Sequence, residues 1–135
     1  MKKRTLLFAL VLALALSGAA LAADYTDVPA DSWARESIDK AAEHSLMNGV
    51  GDGAFGYGQS VSREQFVTVL VRMFGWESVS GEDAAIDIAD SWARGYINTA
   101  AANGVFDAGG KFRPKDDITR REMAVMLVRA LGLGS

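Results

Sequence analysis

The sequence contains no cysteine and a single histidine, His44, in 135 residues. Without cysteine there is no disulfide framework, thiolate metal site or thiol nucleophile. One histidine cannot supply the pairs and triads on which most zinc chemistry rests, and it leaves the serines without a choice of base. Charge of one sign is scarce as well: 14 basic against 17 acidic residues give −3, so there is no overall attraction for nucleic acid. The length allows one compact domain at most.

What the sequence does have is an apolar block at its start. Lys2, Lys3 and Arg4 precede an uninterrupted run, Leu6–Leu16, and Ala20-Leu21-Ala22 fits an A-x-A cleavage site. Order, length and charge are those of a secretory signal peptide over residues 1–22. The alternative, an uncleaved membrane anchor, needs about 20 apolar residues, more than this run offers. The expected mature chain is exported and has no membrane span. Losing the three leading cations takes its formal charge from −3 to −6. Against that acidity, Lys111, Arg113, Lys115, Arg120, Arg121 and Arg129 cluster among only three acids, Asp116, Asp117 and Glu122.

An internal repeat organises the remainder. Asp31-Ser32-Trp33-Ala34-Arg35 recurs as Asp90-Ser91-Trp92-Ala93-Arg94, and Leu70-Val71-Arg72 as Leu127-Val128-Arg129. Tyr25-Thr26-Asp27-Val28 has its counterpart in Ala85-Ile86-Asp87-Ile88. The units run over 23–83 and 84–135, with Trp76–Ala84 as linker. Each reads as helix, glycine-rich loop, helix. Trp33, Ser37/Ile38 and Ala41/Ala42 form a predicted apolar stripe on the first helix, and Trp92, Tyr96/Ile97 and Ala100/Ala101 on its counterpart. Asn103-Gly104 is a left-handed stop, where the first copy has the weaker His44-Ser45. The second helices open on Ser62-Arg63-Glu64-Gln65 and Thr119-Arg120-Arg121-Glu122, both matching the capping box S/T-x-x-E/Q. Val61 and Ile118 precede them as candidate hydrophobic staples. Phe66, Val69/Leu70 and Met73, then Met123, Met126/Leu127 and Ala130/Leu131, are the expected core stripes, with methionine as filler. Gly75 and Gly132 close both helices. In the loops, Phe55 and Phe112 align as plugs, and Gly53 and Gly110 fit turns that need positive φ.

Asp27-Val28, Trp33-Ala34, Gly51-Asp52-Gly53-Ala54-Phe55 and Ser62-Arg63-Glu64-Gln65, with Asp87-Ile88, Trp92-Ala93, Phe112-Arg113-Pro114 and Ile118-Thr119-Arg120-Arg121-Glu122, together resemble the S-layer homology domain. The resemblance covers almost the whole mature chain. It implies an all-α fold of helix-loop-helix repeats, usually three, around a pseudo-threefold axis. It implies noncovalent attachment to the cell wall through an anionic secondary cell-wall polysaccharide, commonly carrying pyruvate ketals, at the cell surface. The family's Thr-Arg-Ala-Glu arginine maps to Arg120 and, through a less faithful motif, to Arg63.

The residues themselves bear on that arginine. A capping box uses its first and fourth residues: Ser62, Gln65, Thr119 and Glu122 therefore have a structural explanation. Arg120 does not, because a cation in the first turn opposes the helix dipole by roughly 0.3–1 kcal/mol. A guanidinium beside exposed amides can hold a carboxylate; the alternative is a surface arginine paired with a neighbouring acid. Lys111, Arg113 and Lys115 precede it, so the expected ligand-binding set is Arg120, Arg63, Lys111, Arg113 and Lys115. Asp52 lacks the D-x-[DN]-x-[DN]-G context of a calcium loop, and glycines 49–58 lack the G-K-[ST] of a phosphate loop. Asp116-Asp117 has no partner acid at readable spacing, and His44 sits near a helix end. The expectation is a binding module without cofactor or metal, not an enzyme. The alternative is an oligomerisation module that completes its bundle by self-association or with another chain of the same family.

Overall fold

The computed structural model describes residues 24–134; the leader expected over 1–22 lies outside them. The described residues form four helices: α1 (Arg35–Glu43), α2 (Arg63–Phe74), α3 (Arg94–Ala102) and α4 (Arg120–Ala130). Two isolated bridges, Gly51 with Ala54 and Ser62 with Asp117, are the β structure among them. The fold is all-α, and no helix of the described residues is long and apolar enough to cross a membrane.

Helices α2 and α4 begin as their sequences dictate. The Ser62 hydroxyl accepts from Gln65 N while the Gln65 side chain accepts from Ser62 N, and Thr119 and Glu122 repeat the arrangement. Helices α1 and α3 start differently. Ser32 and Ser91, two residues before the N-caps Ala34 and Ala93, accept from the backbone N–H of those alanines at 3.2 and 3.1 Å. This turn corrects the predicted stripes. Trp33 is 90% exposed and Trp92 60% exposed, because the inward positions are Ala34, Ile38 and Ala42, and Ala93, Ile97 and Ala100. One residue is about 100° around a helix, enough to carry the indoles out of the core. On α2 the buried apolar residues are Val67, Leu70 and Val71, while Met73 is exposed; on α4 Met126 is buried and Leu131 exposed.

Glycine supplies the left-handed stops at Gly75 (φ 63°) and Gly104 (φ 76°). The first copy places Ser45 there at φ 56°, a conformation disfavoured for a residue with a Cβ. In the loops, Gly53 takes positive φ as expected, but in the second copy Gly109 (φ 95°) does so rather than Gly110.

The main core runs through Leu70, Ile88, Ile97, Val105, Phe112 and Met126, and α2 packs on both α3 and α4. The second helix of repeat one thus completes the core of repeat two. What remains to α1 is a small cluster of Tyr25, Val28 and Ile38 with Phe55 against it. The staple residues also join the repeats, since Ile118 N donates to Val61 O at 2.9 Å.

Candidate functional site

Two aspartates shape the loops. Asp27 accepts from the N–H groups of Phe55, Gly56 and Tyr57 at 2.7–2.9 Å. Asp87 accepts from those of Phe112 and Arg113 at 2.8 and 2.9 Å. Hydrogen bonds to the ionised form favour it, and both carboxyls are held below the usual carboxylate range. Arg113 stands at φ 58° where repeat one has Gly56, so this clamp helps hold an arginine in a glycine's conformation.

The five cations expected to meet a ligand divide into two groups. Arg63 is 7% exposed. Its Nε donates to Phe112 O at 2.6 Å, its Nη1 lies 2.7 Å from Glu122 Oε1, and its guanidinium stacks 4.8 Å from the Phe112 ring. Burial pushes its pKa down and the Glu122 carboxylate opposes that. Arg113 turns to the same carboxylate oxygen, 2.7 Å away. Glu122 is therefore a hub: Oε2 accepts from the Thr119 N–H and hydroxyl while Oε1 faces two guanidinium groups. Those contacts lower its pKa to about 2, the bonds from Thr119 contributing most. Arg63 thus lies in the seam between the repeats, its guanidinium engaged by Phe112 and Glu122. Lys111, Lys115 and Arg120 are exposed and form no ion pair among the described residues.

The starts of α2 and α4 differ in the same sense. On α2, Arg63 N and Glu64 N donate to Asp116 O and Pro114 O of the next repeat at 2.9 and 3.0 Å. No such carbonyl meets Arg120 N or Arg121 N among the described residues. Glu64, only 5% exposed, reaches across the seam and accepts from the Ser91 hydroxyl at 2.6 Å and from Trp92 Nε1 at 2.8 Å.

That last bond fixes an indole at a groove absent from the sequence expectations. A cavity of about 350 Å³ lies between the repeat-one loop and α2, lined by Met47, Tyr57, Gln59, Gln65, Arg72 and Trp92 among others. None of the five predicted cations lines it. The available signal was the recurrence of Trp33 and Trp92 ahead of the helices, and the glycines over 49–58. Gly49 (φ 76°) has no room for a Cβ, which would strike the Ala54 carbonyl.

Paired helix-loop-helix repeats that share one core, with a groove beside α2, define an all-α repeat module. The family model for the S-layer homology domain matches residues 24–67 and 86–124. The chain belongs to that family of cell-surface anchoring modules. It is 33% identical over 133 residues to a cell surface protein of Thermoanaerobacter kivui, covering 93% of this chain and 18% of that one. It is 31% identical over 118 residues to the surface-layer 125 kDa protein of Lysinibacillus sphaericus, covering 80% and 10%. An endoglucanase of Bacillus sp. (strain KSM-635) is 33% identical over 108 residues, 78% and 11% of the two chains. The chain thus spans less than a fifth of each of these relatives.

Proposed function

We propose that the protein is exported and holds noncovalently to an anionic secondary cell-wall polysaccharide, as a binding module and not as an enzyme. The observation that carries this reading is Trp92. It is 60% exposed, its Nε1 is committed to Glu64, and it borders a groove with Tyr57, Gln59 and Arg72. A fixed aromatic face at a largely preformed cleft with a few polar groups suits a sugar ring. Lys111, Lys115 and Arg120 give the charge that a carboxylate-bearing polymer needs, pyruvate ketals included, through charge-assisted bonds. The cell-surface and surface-layer relatives support the same reading.

The test is retention on purified wall sacculi, intact and stripped of polymer. Binding should need the polymer, weaken with added salt because exposed contacts are screened, and fall for Trp92→Ala and Arg120→Ala. Arg120→Ala should leave stability unchanged or slightly raised, since the cation opposes the helix dipole. A variant that unfolds more readily yet binds as before would make Arg120 a structural residue.

A second reading is an interaction module that pairs with another chain of the same family. The uncovered start of α4 favours it.

A further inference from the structure

The two repeats are built alike but covered differently. On α2, Val67 and Val71 are buried in the core shared with α3, and Thr68 beside them is 2% exposed. At the matching positions of α4, Ala124, Val125 and Val128 are all exposed, the two valines by 48% and 43%, and Leu131 at the helix end is 54% exposed. The first helices differ in the complementary way: α3 buries Ile97, Asn98, Thr99 and Ala100, whereas α1 buries only Ile38. The indoles follow suit. Trp92 is tied to Glu64 of α2, while Trp33 stands 90% exposed and the counterpart of Glu64 is the exposed Arg121. Each half of the seam between the repeats therefore recurs, uncovered, on the opposite repeat.

From this we infer that a second copy of the chain docks head to tail, its α1 and Trp33 edge lying on α4 as α3 and Trp92 lie on α2. The substitutions between the copies fit such a contact. Arg121 would meet the Trp33 ring as a cation over an aromatic face, replacing the bond from Trp92 to Glu64. Charge is complementary too: residues 24–75 carry four cations against eight acids, and residues 85–134 seven cations against six acids. The contact is heterologous, so it closes into a ring or continues as a filament according to the rotation it imposes. It would cover Arg120 as Arg63 is covered, making a second copy and polymer alternatives at that arginine. The inference rests on the interaction-module reading and does not require polymer binding.

Light scattering on the purified protein, without polymer, across a concentration series tests it. Wild type should rise from monomer mass to at least twice that mass. Val128→Glu spoils the α4 face, and Trp33→Arg sets a cation against Arg121. Both positions are exposed enough for the fold to survive, which circular dichroism checks. Each variant alone should stay monomeric, while an equimolar mixture should form a dimer and nothing larger, because one intact α4 meets one intact α1 edge. A wild type monomeric at every concentration overturns the proposal, as does a variant that associates like wild type or a mixture that stays monomeric. A chain that ignores itself but binds another repeat protein of the family would overturn the second copy and keep the interaction module. Retention on sacculi is a separate measurement, so its failure leaves this result standing.

Discussion

Replacing Glu122 by glutamine isolates the charge at the seam, because repeat one already performs the control. Gln65 occupies the same place in the α2 capping box and accepts from Ser62 N at 2.8 Å, so Glu122→Gln should keep the cap. What it removes is the ionic partner of Arg63, whose side chain is 9% exposed, and of Arg113, whose side chain is 51% exposed. The Arg113 pair is a surface ion pair, a contribution of about 0–1 kcal/mol. Stripping the partner from a fully buried charge costs about 3–5 kcal/mol. Arg63 falls short of that, since Glu122 is 21% exposed and Phe112 O still accepts from Nε. A loss of roughly 2 kcal/mol follows, on the order of 10 °C in the thermal midpoint for a domain of this size.

The pH profile separates charge from packing. The Glu122 pKa is lowered from 4.5 to about 2, so the folded state binds its proton less readily than the unfolded chain does. Its stabilisation is fully present above pH 4.5 and is lost as pH falls toward 2. Thermal melts of wild type and Glu122→Gln should differ most near neutrality and converge as Glu122 protonates, a neutral acid and a neutral amide then facing the same arginines. Asp27 and Asp87 make both proteins acid-sensitive but act equally on each. A gap that is absent at pH 7, or that persists unchanged to pH 2, would refute a role for the Glu122 charge, which the Thr119 bonds and the two guanidinium groups share.

Thr119→Ala and Ser62→Ala should each cost about 0.5–2 kcal/mol by loss of a cap, read from denaturant midpoints; no change in either would mean that the caps do not set the helix starts. Arg113→Gly should relieve the left-handed strain at φ 58° but lose the bond to Glu122, and the net change should lie within about 1 kcal/mol. A loss well beyond that, in urea titrations, would give the side chain a larger role. Asp27→Asn should remove an acceptor from a three-amide clamp and flatten the acid limb of the stability curve, because a carboxyl with lowered pKa stabilises above its unfolded value and loses that as pH falls. An unaltered acid limb would count against the clamp.

Local chemistry was legible in the sequence, and chemistry acting at long range was not. Both capping boxes and the stops at Gly75 and Gly104 depend on residues a turn apart, and they are where the pattern placed them. The tryptophan stripes were displaced by one residue because Ser32 and Ser91 delay the helix starts, a turn that competes with the periodic signal. The clamps by Asp27 and Asp87 span 25–30 residues. Their only sequence trace is an acid repeated ahead of each unit, with nothing to say which amides it serves. The burial of Arg63 is more distant still, since its partner Phe112 O is 49 residues away. Glu64 was visible as a departure from the expected Thr-Arg-Ala-Glu pattern. Its meaning required knowing that Ser91 and Trp92 fold back onto α2.

The contrast between Arg63 and Arg120 shows what one motif position can become. The capping box secures its first and fourth side chains and leaves the second to whatever packs on the helix start. On α2 that is the loop of repeat two, which offers a carbonyl, an aromatic ring and the Glu122 carboxylate. The Phe112 carbonyl accepts from Nε and the Glu122 carboxylate offsets the charge, although Nη1 makes no hydrogen bond, so the cost of burying the guanidinium is only partly offset. On α4 the same position meets none of them among the described residues, and Arg120 stays exposed. Part of the difference lies in the fourth position of the box itself, where Glu122 stands in repeat two and Gln65 in repeat one. Repeat two carries the acid that neutralises the arginine of repeat one, and no acid pairs with Arg120 among the described residues. Arg120 therefore keeps an unneutralised charge in the described residues, the kind of group that a carboxylate complements.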